Sequence, residues 1–153
     1  MSREEEPSVT TAGRADSWRA TVSMAEARQI IDAAFAAADA MEVPVTVAVV
    51  DESGVLKQLG RMDGAALVSV QTAMNKAYAA AAIGMPTDDF YAAIESDAAA
   101  VASFAHRPGL ALIAGGLPLL VEGQVAGAVG IAGAMTGEDD RRIAEAALKG
   151  TDH

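Results

Sequence analysis

Residues 45–54 read VTVAVVDESG, a β-branched apolar run that ends in a polar turn. Valine and threonine favour strands, and an apolar run without polar alternation indicates a strand that is buried on both faces. Gly54 is free to adopt a positive φ, so residues 51–54 predict a tight turn. Residues 55–61 then return as the second strand of a hairpin. We expect the first strand of this hairpin to lie at the centre of a sheet.

Helices are predicted on both sides of this hairpin along the chain. Ser23 and Glu26 form the S-x-x-E pattern of a capping box, and apolar residues recur behind them at helical spacing, which predicts a helix over 23–42. Pro44 prevents its continuation. Three further helices are predicted downstream, over residues 65–84, over residues 87–104, and from a Thr136 cap to about residue 149.

The second part of the sheet is predicted between residues 110 and 133. Apolar runs over 110–114, 117–121 and 124–133 are separated by a glycine pair and by Glu122-Gly123, a hairpin signal. The order of elements predicts an α+β fold, with an antiparallel sheet of about five strands and helices packed on its faces. We predict a disordered or loosely attached tail over 1–20 and a single domain over 21–150.

Composition excludes several classes of partner. The formal net charge is −10, and the 11 basic residues form no run, which argues against a nucleic acid or an anionic membrane as partner. Cysteine is absent, which excludes disulfides and thiolate metal sites, and with two histidines we expect no protein-held metal. The start of the chain is acidic and lacks the pattern of a signal peptide. A cytoplasmic location is therefore predicted.

Arg61, Asp63 and Lys76 form the first group of candidate site residues. Arg61 ends the predicted hairpin, Asp63 lies in the next turn and Lys76 lies on the following helix, so the three side chains could surround the start of that helix. An arginine fork and a lysine charge could together hold a carboxylate. Alternatively, the cations pair with Asp63, which then caps the helix. If it is buried, Lys76 could also act as a base.

His106 and Arg107 form the second group, in the loop that precedes the second part of the sheet. Loops on a rigid scaffold are where functional residues concentrate. His106 could act as a general acid or base, a metal ligand or a haem ligand. Alternatively, it interacts with the C-terminal end of the preceding helix. Together with Arg107 it forms a cationic pair suited to an anionic ligand.

Gly115, Gly116 and Pro118 form a third group, at a predicted sharp corner near the second. The glycines could expose backbone N–H groups to a ligand, or they could only permit a bend or a close approach of chains. Tyr78 and Tyr91 lie on predicted helices, where their hydroxyls could reach a ligand. The seven methionines are interpreted as adaptable core filler.

Several of these motifs occur in one order across residues 22–149: Asp51–Gly54, Arg61-Met62-Asp63-Gly64, Lys76-Ala77, Gly115-Gly116-Leu117-Pro118, the run 122–130, and Asp139-Asp140. In this order the chain resembles the GlcG/HbpS family, which also occurs as the C-terminal domain of PduO-type proteins. The resemblance implies a profilin-like fold, homo-oligomers and, in some members, haem binding. It also implies a haem-ligating histidine near the first helix, which this chain lacks, and a serine where Ala132 stands.

Three functional hypotheses follow. The first is a small-ligand-binding protein, with haem as the ligand that the resemblance implies and His106 as the axial ligand. The second is a cofactor-independent enzyme acting on a small anionic or oxygenated metabolite, with His106 or Lys76 as the base and Arg61 or Arg107 as the anion holder. The third is a structural or regulatory oligomer. The ligand-binding and enzyme hypotheses both require His106, Arg61 and Lys76 to meet in a single cleft.

Overall fold

The computed structural model describes residues 19–151, which fold around a four-stranded antiparallel sheet. The strands are β1 Thr46–Asp51, β2 Leu56–Arg61, β3 Gly116–Val121 and β4 Gln124–Ala132, in the spatial order β2-β1-β4-β3. The helices are α1 Met24–Ala40, α2 Val68–Ile83, α3 Thr87–Ile94, α4 Ala98–Ala105 and α5 Gly137–Lys149. The α+β prediction is confirmed. The tail predicted over 1–20 lies outside the described residues, apart from residues 19 and 20.

The sheet has four strands where the sequence predicted about five, because residues 110–114 do not form a strand. The side chain of Thr87 holds this segment instead. Its hydroxyl donates to the carbonyl of Ile113 at 2.6 Å and accepts from the amide of Gly116 at 3.2 Å. A fully buried threonine thus satisfies backbone groups that a strand ladder would otherwise pair.

The helix predicted over 87–104 is divided into α3 and α4. Asp97 adopts an extended conformation at the break, and its carboxylate accepts hydrogen bonds from the amides of Ala99 and Ala100. This is an N-cap, so a new helix begins there. Thr87 does not cap α3, because it is already helical and its hydroxyl is used on the 110–116 segment.

The sheet is covered on both faces, by different kinds of side chain. Helices α1 and α5 pack together on one face, over large aliphatic residues that include Val47, Val49, Val129 and Ile131. Helix α2 packs on the other face through alanines, over β1, β3 and β4. A Cβ at Gly130 would collide with the carbonyl of Ala73 and the amide of Ala77. The backbone of α2 therefore lies unusually close to the sheet.

The two helix caps that the sequence predicts, at Ser23 and Thr136, are present in the structure. The capping box of α1 is present, with the Ser23 hydroxyl 3.1 Å from the amide of Glu26 and the Ser23 amide donating to the Glu26 carboxylate. Thr136 caps α5 through the amide of Asp139. In the part of the chain that the structure describes, no helix has the length and apolarity needed to cross a membrane.

Candidate functional site

The cleft beside α2 consists of two neighbouring compartments. The hairpin compartment has a volume of about 350 Å³ and lies between the β1–β2 turn, the outer surface of α2 and the loop at Pro108-Gly109. The helical compartment has a volume of about 360 Å³ and lies between the C-terminal end of α2, helices α3 and α4, and the loop residues Arg107 and Leu110. Both volumes are in the range of small-molecule sites.

The hairpin compartment has apolar walls with two polar groups. Val50 and Leu56 of the hairpin face Met74 of α2, and Tyr78 closes one end. The polar groups are the Tyr78 hydroxyl and the side-chain amide of Asn75, whose oxygen accepts from Gln71 at 2.8 Å. This leaves the NH₂ group of Asn75 available as a donor.

The helical compartment is aromatic and carries one cation. Phe90 and Phe104 make an edge-to-face contact, with ring centroids 5.1 Å apart. The guanidinium of Arg107 lies over the Phe104 ring, 5.1 Å from its centroid, which restrains the charge at the border of the compartment. Among the described residues that line the two compartments, Arg107 is the only charged one.

Helical spacing explains how α2 contributes to the site. Gln71, Asn75, Tyr78 and Ala82 follow one another at four-, three- and four-residue steps, so they share the face of α2 that points away from the sheet. Their small neighbours Ala73, Ala77 and Ala80 are fully buried against the sheet. An alanine-rich inner face thus leaves the larger side chains of α2 on the cleft.

Lys76 is almost completely buried, with 1% of its surface exposed. Its ammonium donates to the carboxylate of Asp140 and to the carbonyl of Ile131, both at 2.8 Å. The remaining carboxylate oxygen of Asp140 accepts from the amide of Ala134 at 3.0 Å. The ammonium therefore joins α2, β4 and α5, and it lines neither compartment of the cleft.

The pKa of the Asp140 carboxyl is shifted by its surroundings. Burial raises its pKa above the ordinary value of 3.8, because the charged form loses water, and the ammonium of Lys76 opposes that shift. The next residue of the same helix, Arg141, donates to Asp89, Glu145 and Asp88, and these carboxylates raise the pKa of its guanidinium. Arg141 thus connects α5 to the first turn of α3.

Arg61 and Asp63 are both exposed, and neither forms an ion pair within residues 19–151. Asp63 does not cap α2, which begins at Val68 after Leu67. Arg61 ends β2 and pairs with Thr46, whereas the cleft lies at the turn end of the hairpin, about 17 Å away along a strand of this length. The structure therefore leaves this predicted group outside the cleft.

His106 is exposed and ends α4, as the residue at its C-terminal cap. It does not line either compartment, but its neighbour Arg107 does. The structure does not bring together His106, Arg61 and Lys76, because Lys76 lies two turns inside α2 and is buried, and Arg61 is at the far end of β2. The convergence on which the ligand-binding and enzyme hypotheses both depended is absent.

Packing accounts for the glycine corner. Gly115 and Gly116 are buried, and a Cβ at Gly115 would lie 2.9 Å from both the Lys76 ammonium and Asp140. A Cβ at Gly116 would collide with the carbonyl of Lys76. Pro118 is half-buried in β3 and pairs with Ala128. Because these two positions lack side chains, the Lys76–Asp140 ion pair and helix α2 lie directly against their backbone. This leaves no room for a ligand there.

Sequence reasoning missed several residues of the cleft. Met74 was interpreted as core filler, Asn75 was not singled out, and Gly109 was not connected with Tyr78. The spacing of Asn75 and Tyr78 on α2 is the one signal that could have placed them together. Within residues 19–151, no three His, Asp or Glu side chains come close enough to hold a metal ion.

The fold and the cleft define a three-layer α+β domain with a ligand-sized, largely apolar cleft outside one helix. A family model described as "Haem degrading protein HbpS-like" matches residues 22–149. The chain belongs to this HbpS-like family, and the predicted resemblance is confirmed.

Two curated relatives share about a third of their residues with this chain. The uncharacterized 15.0 kDa protein in the dhaT-dhaS intergenic region of Citrobacter freundii is 35% identical over 130 residues, which are 84% of this chain and 91% of that protein. Corrinoid adenosyltransferase PduO of Citrobacter freundii is 34% identical over 129 residues. These residues make up 84% of this chain but only 38% of PduO.

Two solved structures share the fold. HbpS superposes with a TM-score of 0.83 at 28% identity, covering 95% of this chain and 100% of HbpS. A PduOC:heme complex superposes with a TM-score of 0.80 at 30% identity, covering 86% of this chain and 96% of PduOC. The second structure contains haem bound to a protein of this fold.

Proposed function

We propose that this chain binds a small planar, mostly apolar ligand with an acidic group, and that the ligand is haem or a related tetrapyrrole. The observation that carries the proposal is the pair of adjoining compartments outside α2, with apolar and aromatic walls and Arg107 as their charged lining residue. Such walls take up a flat apolar ring, and a guanidinium at the border pairs with a carboxylate. The haem complex of PduOC supports the choice of ligand.

The residues present fit haem. Met74 lines the hairpin compartment and carries a thioether, a group known as an axial ligand of haem iron. Arg107 would pair with a propionate, and Asn75 would donate a hydrogen bond. When bound, haem would supply iron-centred redox or oxygen chemistry. The role of the protein would be to orient the haem ring and to exclude water from its two faces.

His106 stays a predicted axial ligand, on different grounds. It is next to Arg107 in sequence and exposed, so its imidazole is available to a ligand at the border of the helical compartment. His106→Ala should then change the Soret band of the complex, and an unchanged spectrum would assign the iron to other donors.

Haemin titration of the full chain tests the proposal. We expect a saturable Soret shift, and Arg107→Ala should weaken binding about tenfold, because a charge-assisted contact to a carboxylate is lost. Arg142→Ala is the matched control, since this arginine is exposed on α5, away from both compartments. An absent Soret shift, or equal affinities of the Arg107→Ala variant and the native chain, would contradict the proposal.

We also propose that the chain forms homo-oligomers. Helix α4 reads AAAVASFA, carries no charge and contains no buried residue. An uncharged, apolar helix left on the surface is typical of a protein–protein contact. In a chain with a net charge of −10, an uncharged surface also avoids repulsion between copies.

We further propose the extent of the folded unit, its cellular location and a class of partner that it does not bind. Residues 21–150 would form the single folded unit, which the family match over 22–149 supports. The acidic, cysteine-free composition supports a cytoplasmic location and argues against nucleic acid as a partner. Cell fractionation tests the location.

A further inference from the structure

Of the residues that the structure describes, Tyr78 alone lines both compartments of the cleft. The loop on the other side of the boundary contributes Pro108 and Gly109 to the hairpin compartment, and Arg107 and Leu110 to the helical compartment. Because four consecutive loop residues border the two spaces in this way, the compartments are adjacent. The Tyr78 side chain lies where they would otherwise join.

The Tyr78 ring lies between two glycines. A Cβ at Gly54 would lie 2.7 Å from Cδ2 of the ring, and a Cβ at Gly109 would lie 3.7 Å from Cδ1, on the opposite edge. Both glycines have a left-handed φ, of +79° and +81°. A side chain at either position would be strained, and at Gly54 it would also clash with the ring. The backbone thus leaves both edges of the ring without side-chain packing at these positions.

The hydroxyl of Tyr78 does not restrain the ring. Within residues 19–151 it has no hydrogen-bond partner, and the residue is 41% exposed. Exposed side chains change rotamer on the nanosecond scale or faster. The ring is therefore placed to move towards solvent without breaking a protein hydrogen bond.

We propose that Tyr78 is the specificity-determining residue of the cleft, and that its ring sets the length of planar ligand that binds. With the ring in place, each compartment takes a short, one- or two-ring molecule. With the ring turned out, the compartments form one groove that takes a long planar molecule such as a tetrapyrrole. This inference rests on the proposed function, since it concerns the ligand class of the same cleft.

Paired titrations of the full chain with two probes test this inference. The long probe is metal-free protoporphyrin, which excludes any contribution from an iron–tyrosine bond, and the short probe is anilinonaphthalene sulfonate. Tyr78→Ala should bind protoporphyrin about tenfold more tightly than the native chain, because the ring no longer has to be displaced, and should bind the short probe more weakly, because an aromatic wall is lost. The ratio of the two dissociation constants is the readout.

Two control variants separate the ring from other effects. Tyr78→Phe keeps the ring and should leave the ratio within about twofold of native. Tyr91→Ala removes an equally exposed tyrosine that lines neither compartment, and should also leave the ratio unchanged. A ratio that is unchanged in Tyr78→Ala, or that changes as much in Tyr78→Phe, would overturn the inference.

The outcome for the native chain separates this inference from the proposed function. If the native chain binds protoporphyrin as tightly as Tyr78→Ala does, the ring does not select ligands, although the cleft still binds them. If neither chain binds protoporphyrin or the short probe, the proposed function fails together with the inference.

Discussion

At the scale of single residues, Lys76 and Asp140 bring opposite charges into the interior, where either charge alone would be costly. Each charge also has one backbone hydrogen bond: the ammonium donates to the carbonyl of Ile131, and the carboxylate accepts from the amide of Ala134. Such a pair contributes little compared with a well-packed apolar replacement, but the loss of one partner is severe. The pair therefore links α2 to α5, which lie on opposite faces of the sheet, and this link depends on the presence of both groups.

Removal of one partner should destabilise the fold strongly. We expect Lys76→Met to lower the free energy of unfolding by about 3–5 kcal/mol near neutral pH, because Asp140 is left buried and unpaired. The double variant Lys76→Met with Asp140→Leu should recover most of this loss. Urea unfolding measures both effects, and Lys149→Met, at an exposed lysine of α5, is the control. A single variant as stable as the native chain would contradict this account of the pair.

The same variant should show a distinctive pH dependence. Burial already raises the pKa of Asp140, and loss of the opposing ammonium in Lys76→Met should raise it further. The folded variant then holds a proton that the unfolded chain releases. The stability of the variant relative to the native chain should be greatest at pH values below 3.8, the ordinary pKa of an aspartate. It should fall as the pH rises through the raised pKa of Asp140. A pH-independent difference in urea midpoints would count against this explanation.

The sequence singled out Lys76 as unusual on an alanine-rich helix, but it could not identify the partner. Asp140 lies 64 positions further along the chain. It also occupies the first turn of a helix, where acidic residues are favoured without any tertiary contact. Asp140 could therefore be either a first-turn acidic residue alone or the partner of a buried lysine. Only the folding of α5 back over β4 shows that it is the partner of Lys76.

At the scale of elements, the close approach of α2 to the sheet positions the cleft. Ala73 and Ala77 pack on Gly130 with no space for a side chain between the two backbones. The outer surface of α2 is thereby held close to the β1–β2 turn, where Val50 and Met74 can border the same compartment. A wider spacing would separate the walls of the cleft.

A methyl group at the contact between Gly130 and α2 should therefore destabilise the fold. We expect Gly130→Ala to lower the free energy of unfolding by about 1–3 kcal/mol, because the added methyl would meet the backbone of α2. Gly150→Ala is the matched control, since nothing lies within 4 Å of a Cβ there and its φ of −85° suits alanine. Thermal unfolding compares the two variants, and equal melting temperatures would contradict the close packing.

Elements whose signals are local were predicted well, and those that depend on distant contacts were not. The β1–β2 hairpin and the caps of α1 and α5 follow from short patterns, and all three are present. The break before α4 depends on Asp97 acting as a cap in a run that is otherwise helix-forming. The fifth strand fails because Thr87, from a different element, satisfies the backbone of residues 113–116.

At the scale of the whole molecule, α4 is the surface that a second copy would cover. Every residue of α4 is at least partly exposed, although its sequence contains only alanine, valine, serine and phenylalanine. We expect Ala102→Glu to shift the proposed homo-oligomer towards monomer, because a charge in an apolar contact loses its water. Ala36→Glu on the exposed side of α1 is the control. Light scattering after gel filtration gives the mass, and an unchanged mass in Ala102→Glu would exclude α4 from the contact.

The candidate site was only partly predictable, because its residues come from three segments that are distant in sequence. Tyr78 and Arg107 were recognised as residues that could reach a ligand. Their common cleft depends on the positive φ angles of Gly54 and Gly109, which bring the hairpin and the loop to opposite edges of the Tyr78 ring. No pattern within a single segment carries that information.

The most direct test of the account is a map of where a planar ligand binds. Titration of the isotope-labelled full chain with metal-free protoporphyrin, followed by amide NMR, reports the ring-current shift at each position. We predict the largest shifts at Gly54, Asn75, Tyr78 and Gly109, with little change at Ile143 on the opposite face of the sheet. Shifts concentrated on the face of α1 and α5, or no saturable shift, would contradict the claim that the cleft outside α2 is the ligand site.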